Sequence, residues 1–234
     1  MSLDSTPTAR PEEPVDAEHL DPEHRTRFWV LLIAVCAVVV LLVGLTVGML
    51  RSGSGNDSGP GAAVELGQPV EMPAVTLTDT AGQPYDLATE SEGRVTLLYF
   101  GYLECPDACP IHMAVLSKVM EAMPGDVRED VDVVFVTTDP DRDTPGEIRE
   151  YLDRFDPTFV GLTGDPDTLV DAQIAAGVPV AVAEPADEDG EYLVGHATQV
   201  LVFDREGVAR IVYPFGVRQS DWMEDLPAIV AENS

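Results

Sequence analysis

The sequence predicts an α/β domain whose sheet is covered by helices, with one membrane-spanning helix ahead of it. Short runs of β-branched and aromatic residues alternate with segments of helical periodicity from residue 75 onward, which is the pattern of an α/β sheet. An uncharged apolar run precedes them at 28–50. Between the two regions the chain is rich in Gly and Ser, a composition typical of a flexible linker.

The apolar run 28–50 is long enough to cross a bilayer. Its 23 residues would span about 34 Å as a helix. A cleaved signal peptide is the alternative, but its apolar region is usually only about 7–15 residues long. Arg10, Arg25 and Arg27 precede the run, whereas only Arg51 follows it closely. The positive-inside rule therefore places the N-terminus in the cytoplasm and the rest of the chain outside.

Composition divides the remainder of the chain. Residues 1–27 hold many Pro, Asp and Glu and few apolar residues, which predicts a disordered cytoplasmic tail. Residues 51–66 are predicted to be the linker and 67–234 the folded, extracytoplasmic domain of a single-pass protein of the cell membrane. The net charge of −29, from 42 acidic and 13 basic residues, excludes nucleic-acid binding through a phosphate-neutralising surface.

The first half of the domain is predicted to contain two strands and a helix. Residues 75–78 alternate as in a strand, and the polar segment 79–82 predicts a turn after it. Residues 95–100 are continuously apolar, β-branched or aromatic, which indicates a buried strand. Apolar residues recur at helical spacing over 111–123, so we expect an amphipathic helix there.

The next segments continue the alternation. Residues 131–137 read as a second buried strand. A helix is predicted over 145–155, because Thr144 suits the N-cap and a proline follows it at the first helical position. A short strand at 159–162 and a helix at 166–176 complete this part of the sheet.

The C-terminal part is predicted to be a hairpin and a helix. Two apolar strands, 199–203 and 208–213, flank the sequence Asp-Arg-Glu-Gly at 204–207, which is a strong hairpin signal. The last helix is expected over 220–231. The acidic segment 185–190 is expected to be a surface loop.

Cys105 and Cys109 stand between the strand 95–100 and the helix that follows it. Residues four apart on one helical face have Cβ atoms about 5–6 Å apart, so both sulfurs could bind one small ion or form a disulfide. A helix N-terminus also favours thiolates. A purely structural disulfide is the alternative, but so short a loop constrains the unfolded chain little. We therefore favour a reactive pair.

A metal site on these sulfurs needs a further ligand, and the domain holds two candidate histidines. His112 follows Cys109 by three residues and reads as a polar helix residue. His196 precedes the strand 199–203, where a loop histidine bonded to the backbone is the simpler interpretation. Two thiolates and an imidazole suit Cu(I) and tolerate Cu(II), although zinc accepts the same ligands. The third cysteine, Cys36, is interpreted as an apolar filler within the membrane helix.

The chain contains the motifs FGYLECPDACP at 100–110 and TTDPDRDTP at 137–145, and a lone histidine before the hairpin. Together these features resemble the SCO/SenC family of copper-binding, thioredoxin-like proteins. The resemblance extends from about residue 67 to the C-terminus. It implies a thioredoxin-like domain with a central mixed sheet flanked by helices, an inserted hairpin and one transmembrane helix. It also implies delivery of copper to the dicopper site of cytochrome c oxidase subunit II, reduction of the thiols of that site, or both.

Position by position, the resemblance implies that Cys105, Cys109 and His196 bind the copper ion. It also implies a supporting role near the site for Asp139. One departure concerns the neighbours of the histidine, where the family usually has Asp and Ser and this chain has Gly195 and Ala197. The missing carboxylate and hydroxyl could have oriented the imidazole.

The preferred hypothesis is a membrane-anchored copper chaperone; the sequence does not indicate its copper donor. The main alternative is an extracytoplasmic thiol–disulfide oxidoreductase with Cys105 as nucleophile and Cys109 as resolving thiol. Against that alternative, the cysteines have three residues between them, whereas disulfide oxidoreductases commonly have two. A thioredoxin-fold peroxidase and an interaction domain with a structural bridge are weaker alternatives. Oxidation of the pair to a disulfide would abolish the metal site.

Overall fold

The computed structural model of the protein describes residues 62–232 and the isolated positions 32 and 39. The predicted tail, nearly all of the predicted membrane helix and most of the predicted linker lie outside these residues and remain predictions. Within the described residues, no helix combines the length and the apolar character needed to cross a bilayer.

Residues 62–232 contain ten strands and six helices. In chain order they are β1 Val64–Glu71, β2 Thr76–Asp79, β3 Pro84–Asp86, α1 Leu87–Glu90, β4 Val95–Gly101, α2 Ala108–Ala122, α3 Gly125–Glu129, β5 Val131–Thr137, α4 Pro145–Asp153, β6 Val160–Thr163, α5 Pro166–Ala175, β7 Val182–Ala183, β8 Val194–Gly195, β9 Val200–Phe203, β10 Val208–Tyr213 and α6 Gln219–Glu232.

Every strand and helix predicted from periodicity or turn chemistry is present, with ends shifted by at most a few residues. The predicted cap of α4 is confirmed, because the Glu147 backbone N–H donates to the Thr144 hydroxyl at 3.4 Å. The sequence did not predict β1, β3, α1, α3 or the β7–β8 pair. Most of these elements are short, and β1 is an edge strand whose residues are mostly exposed, so none has the long apolar period that reveals an element. β1 begins inside the segment predicted to be linker.

Eight strands form a mixed sheet in the order β1-β10-β9-β4-β5-β6-β2-β3. At its centre β4, β5 and β6 are parallel. β9 pairs antiparallel with β4 on one side, and β2 pairs antiparallel with β6 on the other. β7 and β8 form a separate two-stranded ribbon. The mixed sheet flanked by helices is the architecture that the sequence predicts.

The strand β4 is buried on both faces of the sheet. Alternate side chains point to opposite faces of a strand, so Leu97 and Tyr99 join one apolar cluster, which includes residues of α2, α4 and α6. Leu98 and Phe100 join a second cluster, which includes residues of α1 and α5. All seven residues of β4 are buried. The strand therefore ends at a position fixed by packing from both sides, and the cysteines follow that end.

Candidate metal centre

The chain leaves β4 at Gly101, turns, and enters α2 at Ala108. Cys105 lies ahead of the helix, where its backbone N–H donates to the Tyr102 carbonyl at 3.3 Å, whereas Cys109 lies in the first helical turn. The expected arrangement of both cysteines on one helical face is therefore wrong in detail. The two residues still meet, because the Cys109 backbone N–H donates to the Cys105 sulfur at 3.4 Å.

Gly101 makes room for the inner sulfur. A Cβ atom at this position would lie 2.7 Å from the Cys109 sulfur and 2.8 Å from the ring of Tyr99, so any side chain would displace one of them. The Tyr99 hydroxyl donates to the same sulfur at 3.4 Å. Cys109 is therefore enclosed by β4 on one side and by its own helix on the other.

The imidazole of His196 completes a group of three possible ligands. Its Nε2 lies 3.7 Å from the Cys105 sulfur and 3.6 Å from the Cys109 sulfur, and all three ligand atoms lie within 4.8 Å of one another. Zinc, about 2.3 Å from sulfur and about 2.0 Å from nitrogen, would hold such atoms about 3.6–3.8 Å apart at tetrahedral to trigonal angles. The two distances from Nε2 to the sulfurs therefore fit a first-row metal ion bound between the imidazole and either sulfur.

Backbone carbonyls orient this imidazole. The Nδ1 atom of His196 lies 3.0 Å from the Phe100 carbonyl oxygen and 2.8 Å from that of Ala197. Since carbonyl oxygens only accept, Nδ1 carries the hydrogen of the neutral ring, and the lone pair of Nε2 faces the sulfurs. The orienting role that a neighbouring carboxylate or hydroxyl could have had is therefore filled by the main chain, although Gly195 and Ala197 carry no such group.

The two thiols differ in acidity. The pKa of Cys105 is lowered, chiefly because the Cys109 thiol donates to its sulfur, and the Cys109 backbone N–H adds to the effect. The pKa of Cys109 is raised, chiefly because burial disfavours its thiolate. Cys105 is 8% exposed and Cys109 is fully buried. In the reduced protein the thiolate therefore forms at Cys105, and the remaining proton stays on Cys109.

Residues 65–231 match the SCO1/SenC family. The chain belongs to this family. Among curated proteins it is 32% identical over 139 residues to a putative copper-binding protein of Stutzerimonas stutzeri, covering 59% of this chain and 67% of that one. It is 33% identical over 131 residues to a SCO2-like protein of Rickettsia conorii, covering 56% and 63%. The matched region thus spans about two thirds of these relatives.

Two solved structures show the same fold. The ScoI protein of Bradyrhizobium japonicum with copper bound superposes with a TM-score of 0.60 at 34% identity, covering 68% of this chain and 99% of that one. The apo Sco1 protein of Thermus thermophilus superposes with a TM-score of 0.64 at 31% identity, covering 71% and 95%. The domain therefore has the thioredoxin-like Sco fold that the sequence predicts.

In this SCO1/SenC domain Asp139 is not one of the three candidate ligands but belongs to a polar cluster with Arg142 and Tyr192. Its carboxylate is 2.5 Å from Arg142 Nε, and it accepts from the Tyr192 hydroxyl at 2.9 Å. Arg142 also donates to the Tyr192 carbonyl at 3.1 Å, and its guanidinium lies 3.6 Å from the centre of the Tyr192 ring. We call these three residues the Arg142 latch. The latch joins the loop after β5 to the segment that leads into β8 and His196, so Asp139 contributes support rather than a ligand.

Asp143, in the same loop, ties the cysteine turn to the end of β5. Its carboxylate accepts from the Thr137 hydroxyl at 2.5 Å and from the Leu103 backbone N–H at 3.2 Å. Burial raises the pKa of Asp143 to about 6, because desolvation outweighs these hydrogen bonds. Sequence reasoning reached this loop through its motif but assigned no role to Arg142, Asp143 or Tyr192.

His112 lies in α2, as the interpretation of a polar helix residue has it, but its side chain is buried, at 4% exposed. Its Nε2 donates to the Thr198 carbonyl at 2.7 Å. Burial lowers the pKa of His112, which favours the neutral ring. This contact could not be predicted from residue types, because the acceptor is a main-chain oxygen.

Proposed function

We propose that this protein is a membrane-anchored copper chaperone that acts in the assembly of cytochrome c oxidase. Cys105, Cys109 and His196 bind the copper ion, and subunit II receives it at its dicopper site. The observation that carries the proposal is the convergence of the two sulfurs and His196 Nε2 within 4.8 Å of one another. The copper-bound structure of a relative at 34% identity supports the choice of ion.

The ligand chemistry favours copper. Thiolates are soft ligands that suit Cu(I), and imidazole suits both oxidation states of copper. Three protein ligands leave a position at which a ligand of the receiving protein can begin exchange. Zinc accepts the same ligands with an open fourth position, so the metal has to be identified by measurement.

The location is part of the proposal. The apolar run 28–50 anchors the chain, and the excess of arginine before that run places the domain on the extracytoplasmic side. The oxidase subunit is the recipient that the family resemblance implies.

Copper binding is tested with the full chain, reduced and purified in detergent. Competition against a chromophoric Cu(I) chelator is expected to show one copper ion per chain. The combined Cys105→Ser and Cys109→Ser variant should lose at least about 100-fold in affinity, beyond the effect usual for residues that do not touch the metal. Cys36→Ser, which removes the remaining thiol, is the matched control and should bind normally. Full affinity in the double variant would reject the proposal.

Delivery is tested by mixing the copper-loaded chain with the metal-free soluble domain of the oxidase subunit. After the two proteins are separated, the copper content of the oxidase domain is expected to rise with wild-type protein and not with His196→Ala. An equal rise with the variant would mean that His196 takes no part in transfer.

A second candidate function, reduction of a partner's disulfide, is favoured by the difference between the two thiols. The Cys105 thiolate would attack the partner's disulfide and expel one partner thiolate, giving a mixed disulfide. Cys109, once deprotonated, would attack the Cys105 sulfur and release the second partner thiol. The partner gains two electrons, and Cys105 and Cys109 end as a disulfide.

Alkylation separates the roles of the two thiols. In a Cys36→Ser chain at pH 6, iodoacetamide is expected to modify Cys105 well before Cys109, as mapped by mass spectrometry. In cells, a His196→Ala variant that supports oxidase assembly as well as wild type would favour thiol reduction over copper delivery. A variant that fails would favour the chaperone.

A further inference from the structure

The segment that carries His196 has no strand of its own. It lies between β8, which ends at Gly195, and β9, which begins at Val200. The ribbon β7–β8 is only two residues long on each strand. The reach of the imidazole toward the sulfurs therefore depends on contacts that hold the residues between the two strands.

His112 supplies such a contact from the helix that carries Cys109. The two residues are three apart on α2, so their side chains leave neighbouring points of the helix. The hydrogen bond of 2.7 Å from His112 Nε2 to the Thr198 carbonyl spans the gap between this helix and the His196 segment. Thr198 is two residues from His196, so little free chain remains between the bond and the ligand.

The ring of His112 is itself held in place. It packs between the ring of Tyr99, at 4.9 Å between centroids, and the ring of Phe215, at 5.4 Å. It is buried. A donor fixed on two sides gives its acceptor a fixed position, whereas a mobile surface side chain would not.

We propose that His112 is a positioning residue for the metal centre: it fastens the His196 segment to α2, and thereby sets the distance between His196 Nε2 and the Cys109 sulfur. The inference rests on the proposed copper binding. His112 acts through His196 and is not itself a metal ligand, since its Nε2 hydrogen is donated to a carbonyl and the converging group of ligand atoms comes from Cys105, Cys109 and His196.

The test compares two substitutions in the full chain. His112→Leu keeps much of the volume but removes the donor, whereas the side-chain amide of His112→Gln can still donate to the carbonyl. We expect His112→Leu to weaken Cu(I) binding by about 10-fold or more, the size typical of residues that orient a ligand. His112→Gln should stay within about threefold of wild type.

A double-mutant cycle decides whether the effect passes through His196. In a His196→Ala background, His112→Leu should cause no further loss of copper affinity. A second loss of the same size would overturn the proposal, as would unchanged affinity in His112→Leu alone. If wild type binds no copper, the proposed function fails instead, so the two failures are distinguishable.

A spectroscopic measurement covers the case in which His112→Leu does not fold. In wild-type chain with ¹⁵N-labelled histidine, the His112 ring should show hydrogen on Nε2 and the His196 ring hydrogen on Nδ1. On addition of Cu(I), the large nitrogen shift of direct coordination should appear at His196 only. Such a shift at His112 would make it a ligand and overturn the positioning role.

Discussion

The two halves of the metal centre are held in place by different means. Cys105 and Cys109 stand where β4, buried on both faces, meets the start of α2. His196 stands on an irregular segment that is held by hydrogen bonds. His196 donates to a backbone carbonyl of β4, and a side chain of α2 donates to the segment. The Arg142 latch ties the residues ahead of β8 to the loop after β5. Packing thus fixes the sulfurs and polar contacts fix the imidazole. The two halves should therefore respond differently to mutation.

The largest effect is expected where packing alone is disturbed. In Gly101→Val the added carbons would overlap the Cys109 sulfur and the Tyr99 ring, so the variant should lose about 3 kcal/mol of unfolding free energy and most of its copper affinity. Gly146→Ala is the control, because nothing lies within 4 Å of its added Cβ. Denaturant unfolding measures the free energy of unfolding of both variants. A stable Gly101→Val that still binds copper would refute the packing argument.

The pH dependence of stability tests Asp143, which ties the cysteine turn to the end of β5. Its folded-state pKa is raised from 3.8 to about 6, so the folded protein binds this proton more tightly than the unfolded chain does. The carboxyl therefore favours folding fully below pH 3.8, and this contribution is lost as the pH rises through about 6. Because Asn cannot titrate, the unfolding free energy of Asp143→Asn relative to wild type should rise by roughly 2–3 kcal/mol between pH 4 and 7.

Urea unfolding at several pH values measures that difference, and Asp165→Asn provides a control of opposite sign. The pKa of Asp165 is lowered by hydrogen bonds from Thr168. Wild type should therefore gain, not lose, stability relative to this control variant as the pH rises. Parallel curves for Asp143→Asn and wild type would contradict the raised pKa.

The polar half is tested by opening the Arg142 latch. Arg142→Gln removes the guanidinium from Tyr192 and from the buried carboxylate of Asp139. The free energy of unfolding should therefore fall by about 1–2 kcal/mol. Hydrogen exchange should rise in β7 and β8 and stay unchanged in β4. The exposed Arg154, whose nearest contact with Glu150 is 4.0 Å, gives the control Arg154→Gln, for which we expect no change. Faster exchange in β4 would mean that the halves are not independent.

The smallest effect is expected at the hydroxyl of Tyr99. Tyr99→Phe removes its hydrogen bond to the Cys109 sulfur but keeps the ring, so the free energy of unfolding should fall by about 0.5–1 kcal/mol. The sulfur-to-copper charge-transfer band of the copper-loaded variant should also shift. Tyr151→Phe is matched to it, because the buried Tyr151 hydroxyl has no hydrogen-bond partner among the described residues. Equal effects of the two variants on the band would mean that the Tyr99 hydroxyl does not influence the metal centre.

The sequence predicted the cysteine half of the metal centre well. The apolar run 95–100 and the helical period after it located β4 and α2, and the cysteines between them could be read directly. α2 begins at Ala108, ahead of the predicted helical period at 111–123, because its first residues lie within the cysteine motif, where no apolar period is visible. The ligand atoms of Cys105, Cys109 and His196 lie within 4.8 Å of one another, and copper binding by these residues stays a prediction.

The polar half was predicted only in outline. The family resemblance pointed to His196 as a ligand, but the acceptors that orient it are the carbonyls of Phe100 and Ala197. Every residue has a carbonyl, so such bonds leave no mark in the sequence. The bond from His112 to Thr198 was hidden for the same reason. The Arg142 latch joins residues about fifty positions apart, and only the fold reveals which arginine meets which tyrosine.

The unequal burial of the two sulfurs imposes an order on ligand exchange. Cys109 exposes no surface, whereas Cys105 is 8% exposed and His196 is partly buried. If the proposed transfer holds, a receiving protein would therefore meet Cys105 and His196 before Cys109, as judged from the exposure of these described residues. Exchange of the copper ligands would begin at Cys105 and His196 and finish at Cys109, so the most buried thiolate would be the last to release the ion.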